Sequence, residues 1–179
     1  SRIFEVKCIF IMDYKKNTSD FTVVNEAIYS YVTNFDTASI FNFNIENNSF
    51  SDFFDNKMLI IQVIKKGLPY KIFNAIKKII PFTEDEWANY LNISKKSLQR
   101  YSNDKNHLFK PIHTEKIIEL AEVTNFGKDV FDSTEQFYLW LYTPLFVFNN
   151  LKPSELLQDS YGKELVMEEL NRIEHGIFA

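Results

Sequence analysis

Cysteine is almost missing from this 179-residue chain: Cys8 stands alone. That excludes an internal disulfide and a cysteine-built metal site. Cys8 reads as a small buried apolar group in a reducing cytoplasm. Glycine is scarce too, with four isolated residues, so no glycine-rich loop cradles a phosphate. Residues 1–56 hold neither glycine nor proline. No run of about 18 apolar residues occurs, so no membrane span is expected. The start, Ser1-Arg2-Ile3-Phe4, leads into Glu5 and Lys7, and the apolar run Cys8–Met12 is too short for a signal peptide. The three histidines, His107, His113 and His175, lack partners at metal-ligand spacing, and no HExxH or nucleophile elbow is present. We therefore expect no catalytic residue, metal or cofactor, and a protein that is not an enzyme. Glu84-Asp85-Glu86 reads as the charged first turn of a helix rather than a catalytic cluster.

What the chain does have is apolar mass and an uneven charge. It is 45% hydrophobic and 16% aromatic, with 18 phenylalanines, enough for one domain or two small ones sharing a core. The net charge of −4 argues against a nucleic-acid partner until its distribution is read. Residues 1–56 carry 4 basic and 8 acidic side chains, residues 57–116 carry 12 and 5, and residues 117–179 carry 4 and 11. A basic centre followed by an acidic block suggests one face for nucleic acid and another for a different partner. Chance clustering on a solvated surface is the competing explanation.

The basic centre contains two short helices joined by a tight turn. Thr83 caps the first, its three acidic residues placed where the helix dipole favours them. Trp87, Ala88 and Leu91 share one face. Asn92 turns the chain in the left-handed conformation, Ile93 plugs the corner, and Ser94 caps the second helix. Leu98 and Tyr101 face inward; Lys95, Lys96, Gln99 and Arg100 face out. This is the pattern of a DNA-binding helix-turn-helix, whose second helix reads base edges and phosphates.

Elsewhere the chain reads as mainly α. Arg2–Tyr14 and Ile40–Ile45 have strand-like composition. Phe21–Val32 is ambiguous, because Val23, Ala27, Ile28 and Tyr31 also fit a helix face. We therefore expect an irregular or partly β extension over residues 1–56, used in dimer contacts. The periodicity predicts helices over Asp55–Lys66, from Leu68-Pro69 to about Ile80, and over Ile112–Phe126, with Gly127 capping or kinking the last. Ser102–Pro111 reads as a loop. Ser133 and Gln136 open a helix carrying Phe137, Leu139, Trp140 and Leu141. Leu145–Asn150 reads as an apolar loop, Pro153–Leu157 as a helical turn, and Gly162 as a turn before a last helix to Glu174. In that helix Val166, Leu170 and Ile173 align, and Glu168 is spaced to pair with Arg172. The segment after it, His175-Gly176-Ile177-Phe178-Ala179, places two large apolar residues beyond a helix-breaking glycine. Either they fold back on their own core, or they enter a partner's pocket.

The ordered set GLPYKIFNAIKKII, TEDEWANYLNISKKSLQRY, IIELAEV, then Phe131, Trp140-Leu141, Pro144, Pro153-x-x-Leu156-Leu157, Gly162 and the terminal HGIFA resembles the Xre/MbcA/ParS-type antitoxins of type II toxin–antitoxin modules, including those paired with RES-domain toxins. The resemblance covers roughly residues 57–179. It implies a helix-turn-helix region over 57–111 and a helical toxin-binding domain over 112–179. By that resemblance Ser94, Lys95, Lys96, Ser97, Gln99 and Arg100 face operator DNA. Tyr161, Leu170, Ile173, His175, Gly176, Ile177, Phe178 and Ala179 build or present the toxin-facing surface, with Leu170 fitting the core equally well; Trp140 is a further candidate and is expected in the core. The implied protein is a cytoplasmic homodimer with no membrane partner. It blocks a cognate, NAD-consuming RES-like toxin with its C-terminal end and represses its own operon. The alternative is a stand-alone helix-turn-helix regulator whose C-terminal domain senses a ligand or partner. A structural module that has lost DNA binding is a third reading. Asn92 stands where such turns favour glycine, and the second helix holds only three basic residues.

Overall fold

The computed structural model describes residues 20–35, 50–80, 82–131 and 133–176. Among them are ten α-helices and no strand beyond two isolated bridges. The mainly α expectation holds. The strand expectations for Arg2–Tyr14 and Ile40–Ile45 lie outside the described residues.

The ambiguous segment is a helix, α1 (Asp20–Val32), packed along α4 (Tyr70–Ile79). Val24, Ile28 and Val32, one turn apart, are buried, and Val23 is exposed. Phe53 and Phe54 of α2 (Phe50–Asp55) are buried in the same core. The stretch expected over Asp55–Lys66 is interrupted at Asn56. That side chain caps α3 (Lys57–Lys66) by accepting the Leu59 N–H at 3.1 Å. Leu59, Ile60 and Val63 point inward.

Residues 67–70 tie these elements to the rest. Gly67 ends α3 with φ +90°, and a β-carbon there would lie 2.4 Å from the Phe109 carbonyl oxygen. Tyr31 Oη donates to the Gly67 carbonyl at 2.6 Å. The Leu68 N–H donates to Thr114 Oγ1 at 3.0 Å, in the buried interior. The Phe109 N–H donates to the Leu68 carbonyl, and the Tyr70 N–H to the His107 carbonyl, both at 2.9 Å. Phe73, Phe109 and Trp87 pack edge to face around this point.

The loop after the helix-turn-helix is shorter than expected, because the second helix runs to Asn103 and the next begins at Pro111. That next helix, α7 (Pro111–Phe131), runs on through Gly127. Gly127 is buried, and the Phe137 ring occupies the place of a β-carbon, 2.0 Å from it. The residue neither caps nor ends a helix; it lets α8 (Thr134–Leu141) sit against α7. Gly162 acts likewise. It lies inside α10 (Ser160–Glu174) because the Leu156 carbonyl of α9 (Pro153–Leu156) comes within 1.8 Å of where its β-carbon would be. α10 packs along α7. Glu122 of α7 holds Lys163 of α10 at 2.8 Å and Lys57 of α3 at 3.0 Å. Burial pushes the Glu122 carboxyl up, but the two lysines outweigh it and hold it below the ordinary range.

Two stability predictions follow from these contacts. Gly67→Ala imposes a left-handed alanine against a backbone oxygen, and should cost at least ~1–2 kcal/mol in urea unfolding. Glu122→Gln should cost about 1–2 kcal/mol at pH 7. A depressed folded-state pKa contributes stability above the unfolded value that is lost as pH falls through the folded one. The gap between wild type and Glu122→Gln should therefore shrink below the ordinary value of 4.5, as read by urea melts across pH.

Candidate nucleic-acid and partner surfaces

Local chemistry builds the helix-turn-helix. Thr83 and Glu86 form a capping box on α5 (Glu84–Tyr90): Thr83 Oγ1 accepts the Glu86 N–H, and Glu86 Oε2 accepts the Thr83 N–H at 2.8 Å. Lys77 of α4 pairs with Glu84 in the first turn. Asn92 adopts φ 52°, and the Ile93 N–H returns to the Ala88 carbonyl at 3.0 Å. Ser94 then caps α6 (Lys95–Asn103), accepting the Ser97 N–H at 3.0 Å. Trp87, Ala88 and Leu98 are buried. Ile93 and Tyr101 are partly so, packed against the core.

The outer face of α6 is as expected in position but not in free charge. Ser94, Lys95, Lys96, Gln99 and Arg100 are exposed and Ser97 is half-buried. The Ser94 and Ser97 hydroxyls are 2.9 Å apart and engage each other. Lys95 Nζ lies 2.9 Å from Asp85 of α5, so its charge is balanced within the protein. The Arg100 guanidinium sits 5.6 Å from the Tyr101 ring centroid, within cation–π range. Behind it, the His107 ring stacks on Tyr101 at 3.7 Å. Burial lowers the His107 and His113 pKa values. Nearby Arg100 acts the same way on His107 and Lys110 on His113, while Asp104 opposes at His107. Both imidazoles are thereby biased toward the neutral form.

The second candidate surface lies on α10. Tyr161 is 83% exposed, and the exposed residues Leu165 and Glu168 continue its stripe at i+4 and i+7. Leu170 is fully buried beside Val166, so it supports this surface from beneath. Ile173 is half-buried, and His175 and Gly176 are exposed. His175 Nδ1 lies 2.8 Å from the Asn171 carbonyl, and Gly176 has φ +64° with open space around it. Ile177, Phe178 and Ala179 lie outside the described residues. Arg172 pairs with Glu169 at 3.2 Å instead of Glu168; one turn offers both carboxylates, and the i−3 neighbour takes the guanidinium. Trp140 is half-buried against Phe131 and Phe137. The sequence reading missed Leu165 and Phe146, which is 90% exposed.

Nothing in the sequence signalled how the two surfaces are joined. Tyr90 Oη donates to the Ser154 carbonyl at 2.7 Å in a buried position. Asn89 and Gln158 exchange two hydrogen bonds at 3.0 Å. Tyr142 Oη donates to Glu86 Oε1 at 2.9 Å. Burial, then the Glu86 charge, drives both tyrosine hydroxyls far above their usual range. α5, the first helix of the helix-turn-helix, thus grips α9, the residue Gln158 just beyond it and the end of α8. Among the described residues, no cluster of three or more His, Cys, Asp or Glu is placed to hold a metal, and no helix is long and apolar enough to cross a membrane.

Residues 59–122 match the family described as the antitoxin Xre-like helix-turn-helix domain. Residues 127–176 match the antitoxin Xre/MbcA/ParS C-terminal toxin-binding domain. The chain is similar to "Antitoxin Xre" of Yersinia enterocolitica, with 24% identity over 122 residues, covering 68% of this chain and 82% of that protein. Among solved structures, a chain of the M. tuberculosis MbcT–MbcA toxin–antitoxin complex matches at 21% identity with a TM-score of 0.47, covering 60% of this chain and 94% of that one.

Proposed function

Because the chain belongs to the Xre/MbcA/ParS antitoxin family, we propose that it neutralises a cognate toxin through α10 and the segment 175–179, and represses its own operon by binding operator DNA through α6. The observation that carries this reading is the pairing, in order and on one frame, of a helix-turn-helix and a toxin-binding domain. The toxin we propose is RES-like and NAD-consuming. The antitoxin covers its active site and does no chemistry itself. Tyr161 and Leu165 on α10 present apolar surface among the carboxylates of Glu164 and Glu168, which suits a partner that is apolar at the centre and cationic at the rim. On α6, Lys96 and Arg100 are the cations that reach phosphate without first giving up Asp85. A homodimer in the cytoplasm, placing two α6 helices on paired half-sites, completes the proposal.

Two experiments test it. In gel shifts on the protein's own promoter, Lys96→Glu and Arg100→Glu should each weaken binding and flatten its salt dependence by about one counterion. Wild-type binding by both variants would remove α6 as the DNA contact. Deleting residues 176–179 should leave the melting temperature unchanged and abolish rescue of growth when co-expressed with the product of the adjoining gene. Full rescue by the shortened chain would overturn the role of that segment.

A further inference from the structure

Between α8 and α9 the chain forms a small, tightly closed knuckle. Its 3-10 turn, Phe146–Phe148, is pinned at the base by paired bonds. The Leu145 N–H donates to the Leu151 carbonyl at 3.1 Å, and the Asn150 N–H donates back to the Leu145 carbonyl at 2.9 Å. Two successive non-glycine residues, Asn149 at φ 54° and Asn150 at φ 64°, hold the left-handed conformation needed to close it. Phe148 is driven inward, 7% exposed, while Phe146 is held out at 90%, the most exposed large apolar side chain among the described residues. Val147 and Leu151 flank it, 48% and 45% exposed. Residues 143–151 carry no ionisable group in a chain that is 25% charged.

An ordered loop that uses unfavourable backbone conformations to hold an aromatic ring in water has the properties of an interface anchor: preformed, apolar and low in entropy to bury. We infer that this knuckle is a second contact for the toxin, with Phe146 seated in an apolar pocket on that protein. The inference rests on the antitoxin reading and adds a site separate from α10. A second copy of the chain fits less well. Phe146 offers about 200 Å², and with Val147 and Leu151 the knuckle stays far short of the ~800 Å² per partner that a stable pair needs. A two-fold contact there would also bring together two acidic blocks, since residues 117–179 hold 11 acidic and 4 basic side chains. A cationic partner gains from that charge, and the knuckle lies within the residues matched to a toxin-binding domain.

Calorimetric titration of the full chain with the purified product of the adjoining gene tests this. Phe146→Ser should weaken binding about 30-fold or more, in the range of an interface hot spot, and Phe146→Leu less. Melting temperature, sedimentation and promoter binding should stay at wild-type values. Binding by Phe146→Ser within twofold of wild type overturns the knuckle while leaving the antitoxin reading intact. A fall of several degrees in melting temperature overturns it by making the ring structural, and dissociation of a dimer overturns it by making the knuckle a self-contact. If the wild-type chain itself does not bind that product, the antitoxin reading and this inference fall together.

Discussion

The fold depends on a backbone crossing at residues 67–70. Four hydrogen bonds converge there, from or to Tyr31, Thr114, Phe109 and His107, and the crossing closes only because residue 67 has no side chain in the way. The bonds come from α1, from the loop that follows α6, and from the first turn of α7. Buried amides and carbonyls must find partners, so each segment is held to the same four residues. α6 is therefore fixed at both ends, by the Asn92 turn before it and by the His107–Phe109 stretch after it.

Local signals were readable in the sequence. Thr83, Ser94 and Ser133 cap helices, and Asn92 turns left-handed, because the partner of each sits within a few residues. Leu59/Val63 and Ile72/Ile76, buried one turn apart, follow the helical spacing that predicts those two helices. What escaped was tertiary. Gly127 and Gly162 look like helix breakers until Phe137 and the Leu156 carbonyl are placed against them. α1 was obscured by its threonine and valines, which suit a strand as well as a helix. Of the candidate site, the α6 face was readable and the loss of Lys95 to Asp85 was not, since the pair closes only across the folded turn. Spacing aligns Leu170 with the buried Val166, but nothing local marks Phe146 as exposed and Phe148 as buried; only packing does.

The two surfaces share a frame through side chains that have no polarity to spare. Glu86 serves at once as capping partner to Thr83 and as acceptor for Tyr142, so the start of the helix-turn-helix and the end of α8 answer to one carboxylate. Gln158 and Ser154 do the same for the far end of α5. The acidic C-terminal block and the basic centre are thus parts of one connected frame, uneven in charge along the chain.

α7 has an evolutionary corollary. The two matched regions meet inside it: one ends at residue 122 and the other begins at 127, while the helix runs unbroken from Pro111 to Phe131. A recombination joining a new C-terminal half at that seam inherits a helical phase. One residue gained or lost there swings everything downstream by about 100° around the axis and slides it about 1.5 Å along it. A splice that keeps the residue count intact preserves the orientation of everything downstream.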